Sequence, residues 1–152
     1  MSYFEEIRKR GRVVNPFFVM MGIDVDSFGE GTARLSMRVR PDMHNGVGWM
    51  QGGIFTAMAD EAMALALYSV VLPGEGIATI SETTSFLKGA RKDDLLVATG
   101  RVVRKGRRVA FTESEVRRDS DAGEVLARCA AAFAIVERSD LASAGHGSHK
   151  KR

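Results

Sequence analysis

Two neighbouring acids, Asp60 and Glu61, interrupt the longest apolar stretch of the sequence, which runs over residues 54–72. Burying a carboxylate without a partner costs several kcal/mol, so a carboxylate at such a position is expected to have a chemical role. A carboxylate can take a proton from water as a general base, or it can attack an electrophilic carbon itself. The sequence therefore predicts one of these two reactions at Asp60, with an ordinary exposed helix position as the alternative.

The segment "QGGIF" places two glycines, Gly52 and Gly53, at the start of the same stretch. The first N–H groups of a helix have no partner within the helix, and they carry the positive end of its dipole. Gly52 has no side chain, so the carbonyl group of a ligand can approach its N–H closely. Such a helix start suits an oxyanion that develops on a carbonyl group.

Two polar residues of the preceding loop, His44 and Asn45, are further candidates. The side-chain amide of Asn45 can supply a second hydrogen bond to a carbonyl group, and the alternative is a turn residue in "HNG". His44 is a candidate base, for which a hydrogen bond within the loop is the more common role.

Other catalytic and metal-binding patterns are absent from the sequence. It contains no G-x-S-x-G elbow, P-loop, paired-cysteine metal site or H-E-x-x-H motif, and we predict neither a metal site nor a cofactor. His146 and His149 are spaced as HxxH, but in a polar tail this spacing is a weak metal signal. The single cysteine, Cys129, is predicted to be a small buried strand residue in a protein of the reducing cytoplasm.

The charge distribution bears on the kind of partner. The 152 residues carry a net charge of +3, and basic residues cluster in "RVVRKGRRVA". We interpret this cluster as the solvated face and turn of two strands, with a phosphate-bearing ligand as the functional alternative. Aromatic residues do not interleave with it, so no nucleic-acid partner is expected. The two acids make the apolar stretch a poor membrane span, and no membrane partner is expected either.

The pattern along the chain predicts an α+β domain. Residues 1–21 are expected to form a short helix over 2–12 and an apolar connector that contains Pro16. Residues 22–136 are expected to form the domain, in the order β-β-α-β-β-β-β. Its clearest signals are the alternating strand "TARLSMRVR" and a helix over about 53–72 that is apolar on nearly every face. Residues 137–152 lack any pattern and are predicted to be a disordered tail.

A helix that is apolar on nearly every face has to be covered on all sides. We therefore expect a curved antiparallel sheet to wrap around this one long buried helix. The side that the sheet leaves open is expected to meet a second subunit, so the sequence predicts a homodimer.

The segment "HNGVGWMQGGIFTAMADEAMALA" resembles the hot-dog-fold acyl-CoA thioesterases of the phenylacetate-degradation type, whose pattern reads roughly N-x-x-G-x-x-H-G-G followed by a helical D. The matching positions are Asn45, Gly48, Gly52, Gly53 and Asp60. The later "ISETTSFLKGARKDD" resembles the strand and turn that follow the family's helix. The resemblance covers residues 22–136 and implies a hot-dog fold. It also implies the hydrolysis of an acyl-CoA or aryl-CoA thioester by a homodimer, with a tetramer as the expected assembly.

Roles for the matched residues follow from this resemblance. It implies that Asn45 and the N–H of Gly52 polarise the thioester carbonyl. Asp60 then activates water as a general base or attacks directly, and the hydroxyl of Thr79 helps to position the water. Each site is shared between two subunits. Asp60 is therefore expected to face a polar cleft at the subunit interface, whereas Glu61 is expected to point to a wetter surface.

The sequence departs from the family pattern at two positions. Gln51 stands where the family usually has His, and Gly89 replaces a common Pro in the turn after the third strand. Gln51 can hold the loop by hydrogen bonds, but it carries no charge near neutral pH. For substrate binding, the resemblance implies a role for Gly53 and for three cations near the CoA diphosphate: Lys88, Arg91 and Lys92.

Two other functions stay open beside thioester hydrolysis. A non-catalytic module that binds acyl-CoA without releasing free CoA is favoured to some degree by Gln51. A hot-dog dehydratase or hydratase usually needs a pair of His and an acid, and His44 is the candidate for it.

Overall fold

The computed structural model describes residues 2–144 of the chain. These residues form four α-helices and six β-strands, with short 3-10 turns at Gly11–Val14 and Pro41–Met43. The helices are α1 (Tyr3–Arg10), α2 (Pro16–Met21), α3 (Gly52–Tyr68) and α4 (Arg138–Ala144). The strands are β1 (Asp24–Gly29), β2 (Thr32–Arg38), β3 (Glu75–Phe86), β4 (Leu95–Lys105), β5 (Val109–Arg118) and β6 (Val125–Glu137).

The six strands form one antiparallel sheet in the order β1-β2-β4-β5-β6-β3. Helix α3 contacts every strand of this sheet, so the sheet curves around it. The hot-dog architecture and the order β-β-α-β-β-β-β are therefore confirmed. Among the described residues, no helix is long and apolar enough to cross a membrane.

Helix α3 is buried on most of its circumference, as its composition predicts. Met58, Ala59, Ala62 and Met63 are fully buried. At Gly100, strand β4 passes so close to the helix that an added Cβ would lie 2.3 Å from the carbonyl oxygen of Ala62. This small residue lets the strand lie directly on α3, and the close packing fixes the helix against the centre of the sheet.

The N-terminal segment is more helical than predicted. Helix α1 confirms the short helix at residues 2–12 and begins with a capping box between Ser2 and Glu5. The apolar connector, however, contains a second helix, α2. Asn15 caps it by accepting from the N–H groups of residues 17 and 18, and Pro16 occupies its first turn. Pro16 marks a helix start here because its missing N–H and fixed φ suit that position.

The predicted disordered tail contains a helix over its first part. Residues 138–144 form α4, which continues from β6. The N–H of Arg138 donates to the carbonyl oxygen of Gly74 at 2.8 Å, and the side chain of Leu141 fills the space above Gly76. These contacts hold α4 against the start of β3. Residues 145–152, with the HxxH pair His146 and His149, lie outside the described residues.

Strand β3 lies at one edge of the sheet. It pairs with β6 along its length, and within residues 2–144 its other edge has no partner strand. Three large apolar side chains of this strand and the turn after it, Ile80, Phe86 and Leu87, are more than half exposed. An edge of this length with exposed apolar side chains is a surface that proteins normally cover or pair.

Candidate active site

The start of α3 presents the N–H of Gly52. Gln51 is the N-cap residue, and its own side-chain oxygen Oε1 accepts from this N–H at 3.0 Å. The ring of Phe86 lies beside Gly52, because an added Cβ would come within 3.3 Å of it. Gly53 is exposed, with no heavy atom within 4 Å of the place that a Cβ would take. The helix start therefore already holds one amide carbonyl oxygen, which is the kind of group that the sequence predicts it to bind.

Asn45 organises the loop before α3. Its Oδ1 accepts from the backbone N–H groups of Val47 and Trp49 at 3.0 and 3.2 Å. No hydrogen bond from its Nδ2 is found within residues 2–144. Asn45 therefore fits both predicted roles. Its side-chain oxygen closes the turn, and its amide nitrogen stays available to donate to a ligand.

The indole ring of Trp49 is held between two parts of the turn after β3. The guanidinium carbon of Arg91 lies 3.8 Å from the ring centroid, in a cation–π contact. On the other part, a Cβ added to Gly89 would lie 2.6 Å from the ring. The packing of Trp49 thus explains why this chain has Gly at position 89, because any side chain there would displace the indole ring. The N–H of Met50 also donates to the carbonyl of Ala90 at 2.8 Å, so loop and turn are joined.

The three predicted phosphate-binding cations lie on this turn, but their surroundings differ. Lys88 forms an ion pair with Glu124, and Lys92 lies 3.8 Å from a carboxylate oxygen of Asp93. Arg91 has no carboxylate partner for its side chain in the described part of the chain. Its face lies on Trp49, so the edge of the guanidinium remains free to bind an anion.

Asp60 faces β3 across a cleft beside α3. Its Oδ1 accepts a hydrogen bond from the hydroxyl of Thr79 at 3.2 Å. Burial raises the pKa of Asp60, and the hydrogen bond from Thr79 offsets part of that rise. The structure thus brings together the predicted base and the hydroxyl that the resemblance assigns to water positioning.

A β-bulge allows Thr79 to reach Asp60. The pairing of β3 with β6 shifts by one residue between Thr79 and Ser81, so Ile80 is left out of the ladder. Successive strand residues point to opposite faces, and a bulge reverses which positions face inward. Thr79 and the even-numbered residues after Ile80 therefore share the inner face of β3.

Two residues of this cleft, Glu82 and Thr84, carry no prediction from the sequence, whereas Cys129 is the small buried strand residue that the sequence predicts. The hydroxyl of Thr84 lies 2.9 Å from the hydroxyl of Thr56 on α3, and the thiol of Cys129 donates to Thr84 at 3.5 Å. Burial raises the pKa of Glu82 to about 7, with a further contribution from the charge of Asp60. The polar side chains at alternate positions of "ETT" were the available signal, but the bulge concealed which of them face inward.

Glu61 does not point to a wetter surface than Asp60 does. Both residues are half-buried, and burial raises the pKa of Glu61 to about 7, with a contribution from the charge of Asp60. The reason is the N-terminal segment, which covers this side of α3. Glu61 faces a cavity of about 400 Å³ whose lining includes Tyr3, Asn15 and Tyr68.

The basic cluster of the β4–β5 hairpin is largely a solvated face, as interpreted. Arg101 pairs with Glu113, and Lys105 lies 3.1 Å from a carboxylate oxygen of Glu75. Arg101 and Glu113 also line a cavity of about 590 Å³ on the sheet, whose lining includes none of the predicted site residues. The chemistry-bearing residues are grouped instead beside α3.

Residues 48–125 match the family model of the thioesterase superfamily. This segment amounts to half of the chain and contains Gly52, Asp60 and the turn after β3. The chain belongs to the thioesterase superfamily. Asn45 precedes the matched segment.

Two curated proteins are similar in sequence to this chain. The acyl-coenzyme A thioesterase PaaI of Escherichia coli is 33% identical to it over 98 residues. These residues cover 63% of this chain and 66% of that protein. The putative esterase F42H10.6 of Caenorhabditis elegans is 34% identical over 77 residues, covering 51% of this chain and 45% of that protein. The chain thus spans between about half and two thirds of the curated relatives it matches.

Solved structures with the thioesterase fold superpose on most of the chain. The PaaI protein from the phenylacetic acid degradation operon of E. coli does so with a TM-score of 0.75 and 24% identity, over 88% of this chain and 90% of that chain. A hypothetical thioesterase of Streptococcus pneumoniae, crystallised with coenzyme A, gives a TM-score of 0.69 and 18% identity, over 76% and 86% of the two chains. Both likenesses show the hot-dog fold.

Proposed function

We propose that this protein hydrolyses an acyl-CoA or aryl-CoA thioester to the free acid and CoA. The observation that carries the proposal is the half-buried carboxylate of Asp60, bonded to Thr79 across the α3–β3 cleft in a chain of the thioesterase superfamily. Burial in the cleft raises the pKa of Asp60, and so strengthens it as a base relative to an exposed aspartate. The relative named an acyl-coenzyme A thioesterase supports the same substrate class.

The carbonyl group of the thioester is polarised by the N–H of Gly52 and the amide nitrogen of Asn45. Gln51 Oε1 now accepts from Gly52, so the substrate oxygen replaces it there, exchanging one amide oxygen for another. Donors fixed at the place where negative charge develops are worth about 3–4 kcal/mol each in related chemistry. The side chain of Gln51 thus accepts from the Gly52 N–H in the free enzyme and moves away when the substrate binds.

Asp60 promotes attack on the carbonyl carbon in one of two ways. It takes a proton from a water that Thr79 helps to position, or it attacks the carbonyl carbon itself to form a transient anhydride. Both routes expel the same CoA thiolate and consume one water overall.

The site is shared between two subunits in this proposal. Gly52 and Asp60 are eight residues apart on α3, which is about 12 Å along the helix axis. That separation is too long for one carbonyl group to meet both, so Asp60 of one chain works with Asn45 and Gly52 of the other. The long open edge of β3, with its exposed apolar side chains, supports a two-fold homodimer, and a tetramer of two dimers is the proposed assembly.

CoA itself is held through its phosphates at the turn after β3. Arg91 supplies a guanidinium edge that is free of carboxylates in the described part of the chain, while Lys88 and Lys92 exchange their present acids for phosphate.

The cellular location is inferred from cysteine usage. The described residues hold one cysteine, Cys129, and it is a free thiol, which is usual in a reducing compartment. We therefore propose that the enzyme acts in the cytoplasm.

The two alternatives differ in what supports them. A module that binds acyl-CoA without cleaving it is compatible with Gln51 on the Gly52 N–H. A dehydratase is not supported, because His44 Nε2 is buried and has no hydrogen-bond partner among residues 2–144. The required pair of histidine and acid is therefore not formed there.

Thiol release from a panel of short-chain, long-chain and aromatic acyl-CoAs tests the proposal. Turnover of at least one of them well above the rate without enzyme is expected. Binding of acyl-CoA without release of any free CoA would instead establish the non-catalytic module.

A further inference from the structure

One acid of the cleft, Glu82, has no role in the reaction described so far. It lies on the inner face of β3, two residues before Thr84, whose hydroxyl meets Thr56 of α3. On its other side, the bulge at Ile80 turns Thr79 toward the same helix. Glu82 therefore lies in the cleft between the Asp60–Thr79 pair and the Thr84 hydroxyl.

The carboxyl group of Glu82 is in a setting that favours its protonated form. Its Oε1 is buried and accepts no hydrogen bond within residues 2–144. The titratable groups facing it are Asp60 on α3 and the thiol of Cys129 on β6, and both are acids. Burial first, and then the negative charge of Asp60, raises the pKa of Glu82 to about 7. Asp60, by contrast, has the hydrogen bond from Thr79 that favours its ionised form.

We propose that Glu82 is the acid that protonates the sulfur of the leaving CoA. This inference rests on the proposed function and adds a second carboxyl group to its site. One cleft then holds an ionised carboxylate that starts the reaction and a protonated one that completes it. Two carboxyl groups whose environments separate their protonation states are a common basis for acid–base catalysis.

Attack on the carbonyl carbon forms a new C–O bond and a tetrahedral oxyanion, and in the water route the proton of water passes to Asp60. Collapse of the oxyanion breaks the C–S bond, whose electron pair stays on sulfur. The O–H bond of Glu82 breaks as its proton joins that sulfur and releases the free thiol. Asp60 returns its proton through solvent to Glu82, which restores both groups.

Leaving groups of different acidity test the role of Glu82 directly. An alkyl thiolate, such as that of CoA or of N-acetylcysteamine, benefits from protonation, whereas the more acidic thiophenol leaves without it. For one acyl group, Glu82→Gln should lower kcat/KM about 100-fold with the N-acetylcysteamine thioester, and less than about tenfold with the S-phenyl thioester. Equal losses with both would overturn the proposal, since a merely structural defect does not distinguish leaving groups.

The pH profile provides the second readout and needs no variant. Glu82 loses its proton as the pH rises through about 7, so wild-type kcat/KM for the alkyl thioester should fall above that pH and that for the S-phenyl thioester should not. Glu82→Asp, which keeps a carboxyl group, should retain this alkaline limb, and Glu82→Gln should lose it. The limb should persist in Glu61→Gln, which removes an acid of similar pKa whose carboxyl group lines the cavity beside Tyr3 and Tyr68.

The outcomes separate this inference from the function on which it rests. A wild-type protein that releases no thiol from any acyl-CoA contradicts the proposed function. An active wild type whose Glu82→Gln variant keeps the same alkaline limb and the same leaving-group dependence contradicts the role of Glu82 alone.

Discussion

The carboxylate of Asp60 combines partial burial with a hydrogen bond from a neighbouring strand. Its carboxylate is half-buried beside α3, which raises its pKa, and it keeps a hydrogen bond from Thr79 that holds it toward β3. Its neighbour Glu61 is also half-buried, but it faces the cavity below Tyr3. The 100° turn between consecutive helix residues points the two carboxyl groups in different directions, so they can be compared as a matched pair.

Replacing Asp60 by Asn should abolish most of the activity without disturbing the fold. The amide keeps the shape of the side chain but accepts no proton and is a poor nucleophile, so kcat/KM for an acyl-CoA should fall by about 10²–10⁴. Thiol release at equal concentrations of folded protein measures this. Glu61→Gln is the control and should stay within about threefold of wild type. An Asp60→Asn variant as active as Glu61→Gln would refute the role of Asp60.

The raised pKa values of Glu61 and Glu82 also predict a pH-dependent stability. The folded state binds their protons more tightly than the unfolded state does, so it loses stability as the pH rises from about 4.5 to about 7. Replacing Glu61 by Gln removes its share of that penalty. The free energy of unfolding should therefore rise by about 1 kcal/mol at pH 8 and stay nearly unchanged at pH 4. The expected rise is smaller than the full pKa shift implies, because solvent screens a half-exposed group.

Urea unfolding at the two pH values measures this difference. An equal change at pH 4 and pH 8 would mean that the substitution acts through packing and that the carboxylate of Glu61 is not destabilising.

At the scale of elements, the site depends on two joined segments and one bulge. The loop before α3 is closed by Asn45 and braced by Trp49, which rests on Gly89 and Arg91 of the turn after β3. This arrangement holds the loop near the start of α3 and presents the free edge of Arg91 next to it. The turn is thus both a support for the loop and a candidate phosphate site.

Neutralising the cations of this turn should weaken CoA binding more than it slows the chemistry. The triple replacement of Lys88, Arg91 and Lys92 by Gln should raise KM for acyl-CoA about tenfold or more and lower kcat by less, because phosphate contacts stabilise the ground state and the transition state alike. Arg91→Gln alone should account for more of this rise than Lys88→Gln, since Lys88 already has Glu124 as a partner.

A thioester of the same acyl group without the nucleotide is the control substrate. If its KM rises as much as that of the acyl-CoA, the three cations act through the loop and not through phosphate.

How well each element could be predicted depends on how far apart in the sequence the interacting residues lie. The hairpin, the buried helix and the family were predicted and confirmed, because alternation, all-round apolarity and a contiguous motif are local signals. Helix α2 was missed although Asn15 and Pro16 are a local start signal, because its six residues look like a connector. Glu82 was missed because the bulge at Ile80, which reverses the facing of β3, arises from pairing with a distant strand.

The same limit applies inside the site. The sequence favours Gln51 as a loop residue, but its hydrogen bond to Gly52 is a matter of side-chain geometry. Gly89 departs from the family pattern for a reason that depends on Trp49, forty residues earlier in the chain. The wetter surroundings expected for Glu61 were wrong because an N-terminal segment outside the family motif covers it.

In the whole molecule, the proposed function separates the groups of the site along one chain. Asp60, which accepts from Thr79, lies about two turns of α3 beyond Gly52, and within residues 2–144 the edge of β3 has no partner strand. In the proposed two-fold dimer, an identical chain supplies the other half of each site. We therefore propose that thioester hydrolysis takes place between two subunits.

Complementation between two inactive variants tests whether the site is shared. Asn45→Ala and Asp60→Ala homodimers should each be inactive, because each lacks one half of both sites. After mixing in equal amounts and subunit exchange, half of the dimers should be mixed and carry one intact site, so thiol release should return to about a quarter of the wild-type rate. If exchange is demonstrated and no activity returns, Asn45 and Asp60 act within one chain and the shared site is contradicted.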